Sequence, residues 1–165
     1  MDNKALVLRE IEENELYALI LAKGHYDTAI AWGNVHLYLG MPNTTFAALA
    51  GASALSSFDN SNLIAGILSI IAAILAAVST FLNPSDRAKS HLKASHDFER
   101  LYKRIKMLRI NAFDDAVTMQ ELAPKFDALL EQFYDLRDAS PAVPDWAYRG
   151  GAMEAEVIRG KQKQT

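Results

Sequence analysis

The sequence predicts an all-α membrane protein: a two-helix transmembrane hairpin with long cytosolic helices at both ends. Three observations predict it. The stretch LIAGILSIIAAILAAVSTFL, residues 63–82, carries no charge in a chain of 165 residues that is 22% charged and 50% hydrophobic. The stretch before it, LGMPNTTFAALAGASALSSF at residues 39–58, is uncharged as well, and only DNSN at 59–62 separates the two. Elsewhere apolar residues recur at helical spacing.

Composition bounds the possible functions. The length fits one domain. A net charge of −3 does not suggest nucleic-acid binding by the chain as a whole. Without cysteine there is no disulfide framework, thiolate zinc site or cysteine nucleophile. The N-terminal MDNKALVLREIEENELYALI is acidic where a signal peptide is basic, so insertion is expected to rely on the internal hairpin.

Taken in order, residues 1–38 read as a cytosolic helix. Leu8, Ile11, Glu15, Leu19 and Ala22 recur on one face. Trp32 and Tyr38 suit the interfacial belt of a bilayer, and Pro42 is expected to break or kink the chain at the membrane surface. Residues 39–58 form a weak first span of Ala, Gly, Ser and Thr, which alone inserts at roughly zero free energy. DNSN is an external turn. Residues 63–82 form the strong second span: about 20 apolar residues cross roughly 30 Å of hydrocarbon. Its large apolar side chains sum to about −3 to −7 kcal/mol on the insertion scale. The apolar character runs all round the helix, which means either a membrane span or the buried core of a large protein. This chain is short for the second.

Arg87, Lys89 and Lys93 follow the second span, and the turn has no basic residue, so both termini are expected on the cytosolic side. Residues 83–138 read as cytosolic helices. NPSD opens the first, with Asn83 as cap, Pro84 at the first helical position and Asp86 in the first turn. Ala94, Phe98, Leu101, Ile105, Leu108 and Ala112 then make a coiled-coil-like seam. That seam packs either on the N-terminal helix of the same chain or on another subunit. Leu122, Phe126, Leu129, Leu130, Phe133 and Leu136 mark a further amphipathic segment whose start Pro124 interrupts. Residues 139–165 read as the loop ASPAVPDWAYRGG and a short or frayed tail helix.

No catalytic pattern is present. His91 and His96 are not spaced to put two ligands on one helical face, so His25, His36, His91 and His96 read as packing or interfacial residues, with a metal site as the alternative. Asp114 and Asp115 read as a cap or turn. No cofactor is expected.

Two sets of residues invite more. Small residues at helical spacing, Ala47, Gly51 and Ala54 on the first span and Ala65, Ser69 and Ala73 on the second, allow close approach where lipid supplies little drive for association. They serve either the hairpin itself or a homo-oligomer. Thr44, Thr45, Ser53, Ser56 and Ser57 are candidates to line a pore, since a wet lumen satisfies hydroxyls that lipid does not. The cations Lys103, Arg104 and Arg109 are either a solvated face or a contact for an anionic ligand.

Several of these residues carry a resemblance over nearly the whole chain: His25-Tyr26, His36 with Leu39-Gly40 and Pro42, Gly51, Phe81-Leu82, Arg87-Ala88 with His91, and Tyr102. In order and spacing around two apolar helices they resemble the SLATT family. Its members are two-transmembrane effector domains associated with nucleotide-second-messenger and related bacterial conflict systems. The resemblance implies a multi-pass protein of the bacterial inner membrane that oligomerises in the lipid bilayer and permeabilises or depolarises it in anti-phage defence. The trigger would be a nucleotide second messenger or an operon-encoded sensor or nucleotidyltransferase, because no fused sensor domain is evident. It implies no catalytic residues. Two alternatives stand beside it: a constitutive scaffold recruiting a partner through its cytosolic arm, and a holin-like lysis protein, which the long patterned arm after Leu82 disfavours.

Overall fold

The computed structural model describes residues 3–112 and 117–162. The described residues form five helices: α1 Asn3–Ala54, α2 Ser61–Leu82, α3 Pro84–Ala112, α4 Met119–Ala139 and α5 Asp145–Gln162. No strand occurs among the described residues. Asp114 and Asp115 lie outside the described residues. The chain divides into two compact units, one of Met1–Ala29 with Lys89–Thr165, the other of Ile30–Ala88. Helices α1 and α3 contribute to both.

The first unit is a bundle around one apolar core. Ile11, Ala18 and Ala22 of α1 meet Phe98, Leu101, Ile105 and Ala112 of α3, and Leu122, Phe126 and Phe133 of α4 close over them. Leu8, Leu108, Leu129, Leu130 and Leu136 pack against that core. The seam on α3 is therefore filled within the chain. Glu15, on the buried face of α1, is matched by Arg109 of α3 at 2.5 Å. A buried charge that lost such a partner would cost several kcal/mol, about 3–5.

Helix α5 docks on α1 through two glycines. A β-carbon at Gly151 would stand 2.6 Å from the carbonyl oxygen of Ile20, and one at Gly24 would stand 2.9 Å from Val143 Cγ1. The segment DWAYRGG is thus helix, not loop. Pro144 supplies the carbonyl that receives the amides of Ala147 and Tyr148, both at 3.0 Å, and Asp145 sits at the positive end of the helix. Only residues 140–144 remain as connection, because Pro141 forces Ser140 into extended backbone and ends α4.

The second unit is a helix–turn–helix. Its first arm is α1 from Ile30, which runs unbroken through Pro42 to Ala54. The break expected at Pro42 does not occur. The ring removes one helical donor, and the neighbouring hydroxyls of Thr44 and Thr45 donate to the carbonyls of Gly40 and Met41 at 2.7 and 2.9 Å. The first arm also ends earlier than residue 58. Leu55–Asn60 form the turn, and Ser61 and Asn62 already belong to α2. Asn60 closes the turn in the left-handed conformation, φ 61°, which Asn tolerates better than most residues. The hydroxyl of Ser61 donates back to the carbonyl of Ser56.

At the other end, Asn83 alone joins α2 to α3. Its φ of 43° is left-handed, its amide donates to Ser79 O, and its carbonyl receives Arg87 N. It caps both helices with its backbone, while its side-chain amide donates to Asp86 at 2.8 Å instead of accepting from an amide. At 1.5 Å per residue, the arm Ile30–Ala54 is about 37 Å long and α2 about 33 Å. Arg87 lies 5.0 Å from the ring centre of Trp32. That contact and the turn fix the two arms as antiparallel.

Candidate functional site

Two features carry chemistry, one in each unit.

In the hairpin unit, the apolar side chains of α2 point outward. Ile70 is 62% exposed and Phe81 86%, and Leu63, Ile67 and Ile74 are exposed with them. Among the described residues, one helical run, Ser61–Ala112, contains a window long and apolar enough to cross a membrane, and 11% of that window is buried. A helix in the core of a water-soluble bundle would bury most of it. The first arm does not meet the same criterion.

The buried residues of the two arms are small: Ala50 on α1 and Ser61, Ala65 and Ala72 on α2. Of the small residues read from the sequence, Ala65 is among them. Ala47, Gly51, Ala54, Ser69 and Ala73 are exposed, and a β-carbon at Gly51 would meet nothing within 4 Å.

The hydroxyls have partners closer than a lumen. Thr44 and Thr45 donate into their own helix, and Ser56 donates to Ala52 O at 2.7 Å. Ser56 and Ser57 lie in the turn rather than on the helix, and Ser53 is half-buried near the end of α1. The need for water that pointed to a pore lining is met, for these three hydroxyls, by main-chain carbonyls one turn back.

In the bundle unit, His25 of α1 and His91 of α3 face each other with their Nδ1 atoms 3.0 Å apart. One ring donates its Nδ1–H to the lone pair of the other, so at least one is neutral. His25 also stacks on Phe98 with ring centres 5.5 Å apart and planes 11° apart. Burial, and secondarily the neighbouring His91, lower the pKa of His25 to about 4. It is therefore neutral at pH 7. No group of three metal-ligating side chains occurs among the described residues.

Spacing alone does not pair residues 25 and 91. Each extends its apolar stripe by one turn, three residues after Ala22 on α1 and three before Ala94 on α3, and only the bundle brings them together. The pairing of Glu15 with Arg109 could have been suspected, since Glu15 lies on the apolar face of α1 and a charge there needs a counter-charge.

The three cations Lys103, Arg104 and Arg109 do not converge. Lys103 is 2.7 Å from Glu99, whose carboxyl is held below its usual range chiefly by that hydrogen bond. Arg104 donates to Gln132. Lys103 and Arg104 share a shallow groove with Lys125, while Arg109 lines a different cavity beside Glu12 and Glu15.

No protein-family model, curated protein or solved structure matches the chain.

Proposed function

We propose that this chain is a membrane effector of the kind it resembles in sequence, the SLATT family. Its hairpin unit inserts in the bacterial inner membrane, copies assemble, and the assembly permeabilises or depolarises the membrane when a partner or second messenger triggers it in anti-phage defence. The observation that supports insertion best is the outward-facing apolar surface of α2. Water does not tolerate a contiguous patch of this kind on a free surface, whereas hydrocarbon does.

In this reading the first span starts near Ile30 rather than Leu39. No charged residue lies between Asp27 and Asp59, and the first arm is then long enough to pair with α2 across the bilayer. Arg87 and Trp32 sit at the cytosolic headgroup level, and both termini stay inside. The exposed Ala47, Gly51 and Ala54 face is the surface on which copies would meet.

The test is a potential-sensitive dye followed during induced expression, with and without neighbouring genes and during phage infection. Loss of potential and arrest of growth are expected, and crosslinked ladders should weaken in Gly51→Leu. Unchanged potential and viability under every condition would remove the pore. A constitutive scaffold would then take its place. One observation favours that second reading: Thr44, Thr45 and Ser56 are satisfied inside the hairpin and do not call for a wet lumen.

A further inference from the structure

The bundle unit holds a cavity of about 610 Å³ between α1, α3, α4, α5 and the 140–144 connection. That lies within the range of small-molecule sites, roughly 300–1,000 Å³. The geometry points to a binding site for a planar aromatic ring carrying one anionic group.

The lining supports the ring. Buried Phe98 and Phe133, edge to face at 6.0 Å, form its floor, with buried His25 stacked on Phe98 and half-exposed Tyr134 edge-on to Phe133 at 5.8 Å. Tyr17 and Tyr148 also line the cavity, and Tyr17 and Tyr134 are about half exposed. Aromatic faces partly open to solvent beside a cavity favour stacking on a flat ring.

The charges support the anion. Arg137 is the one permanently charged side chain of the lining, and no Asp or Glu lines the cavity. Among the described residues it makes no ion pair with a carboxylate. Asn14 donates to Glu10 O and Ser140 to Leu136 O, so neither spends those donors on a ligand. His25 is neutral at pH 7 and adds no second charge. A guanidinium fork is suited to one carboxylate, phosphate or sulfonate. The cavity beside Arg109 contrasts with it. There Arg109 and Arg159 are paired with Glu15 and Glu12, and Lys106 lies over the Tyr102 ring at 5.8 Å, so each guanidinium already has a carboxylate beside it, as Arg137 does not.

This site does not depend on the membrane proposal, and its test is separate. Isothermal titration calorimetry on the full chain in detergent would use two ringed anions of different origin, adenosine monophosphate and indole-3-acetate. Adenosine and indole serve as rings without charge, and ribose 5-phosphate as charge without the ring. Saturable binding of at least one ringed anion is expected, about tenfold or more tighter than its uncharged ring. Which of the two binds tells a nucleotide from another aromatic acid. Arg137→Gln should weaken it at least tenfold without altering binding of the neutral ring, and Arg137→Lys should recover part of the loss. Tyr134→Ala should weaken both charged and neutral rings. Both arginine and tyrosine are exposed, so the fold is expected to survive, as helical circular dichroism would verify. The site is overturned if neither ringed anion saturates, if Arg137→Gln leaves affinity unchanged, or if ribose 5-phosphate binds as tightly as the nucleotide.

Discussion

In the unit of Met1–Ala29 and Lys89–Thr165, a core of large side chains is present: Phe98, Leu101 and Ile105 are almost wholly buried. In the unit of Ile30–Ala88 large apolar side chains turn outward: Ile67, Ile70, Ile74 and Phe81 are exposed, and the buried positions are Ala50, Ser61, Ala65, Ala72 and Pro84. Both units are made of helices, so local propensity does not explain the inversion. What differs is what must surround each one. A bundle with its Phe and Ile inside is complete in water. A hairpin held together by alanines and a serine, with isoleucines outside, is complete only against something as apolar as itself. The glycines repeat the contrast. Gly151 is pressed against the Ile20 backbone, whereas Gly51 and Gly66 have open space where a side chain would be.

The largest effect that would break this comparison comes from one charge placed in each unit. Ile70→Lys and Val157→Lys both alter exposed apolar residues. In a bilayer the first costs about 2.5–3.5 kcal/mol near the helix centre and should shift the protein out of the membrane fraction. The second should stay within about 0.5 kcal/mol, as exposed substitutions do. Equal, small effects would mean that α2 meets water.

A smaller effect sharpens the glycine contrast. Gly151→Ala should destabilise the bundle by about 1–3 kcal/mol, because the new methyl meets a backbone oxygen that cannot swing aside. Gly51→Ala should be neutral or stabilising by up to about 1 kcal/mol in thermal unfolding, as it meets nothing and favours helix. A large loss from Gly51→Ala would place a contact there that the isolated chain lacks.

A third effect is a pH dependence confined to the bundle. The folded pKa of His25 is about 4, against 6.5 for the free side chain. The unfolded chain therefore binds more protons between those values. The stability contributed by neutral His25 is fully present above about pH 6.5 and is lost as pH falls towards 4. Denaturant unfolding across that window should show the slope in the parent protein and a flatter one in His25→Phe, which keeps a ring against Phe98. An identical slope in both would assign the acid sensitivity to other groups.

The apolar positions were legible because burial follows helical period. Of the positions that spacing marks as apolar, Ile11, Leu19, Ala22, Phe98, Leu101, Ile105, Leu122, Phe126 and Phe133 are buried, while Leu8, Leu108, Leu129, Leu130 and Leu136 are partly buried against the same core. Boundaries were less legible where a proline or glycine has a tertiary reason. Pro42 and Pro124 sit inside continuous helices, and Gly150-Gly151 reads as a breaker until Ile20 is known to pass beside it. The site residues were the least legible. Lys103, Arg104 and Arg109 are neighbours in sequence, yet their helix faces differ and Glu15 and Glu99 engage two of them. The aromatic cavity around Arg137 draws on residues from four helices, and no sequence window contains it.

The central claim is that Ile30–Ala88 crosses the membrane as a hairpin with its turn outside. The chain has no cysteine, so single cysteines report without background. The most direct measurement places them at Ser57, Asn62, Lys4 and Glu156 and treats intact cells with a membrane-impermeant thiol reagent, with lysed cells as the control. The account predicts labelling at Ser57 and Asn62 in intact cells and at Lys4 and Glu156 only after lysis. Labelling of Lys4 in intact cells, or protection of all four with the protein recovered in the soluble fraction, would contradict it.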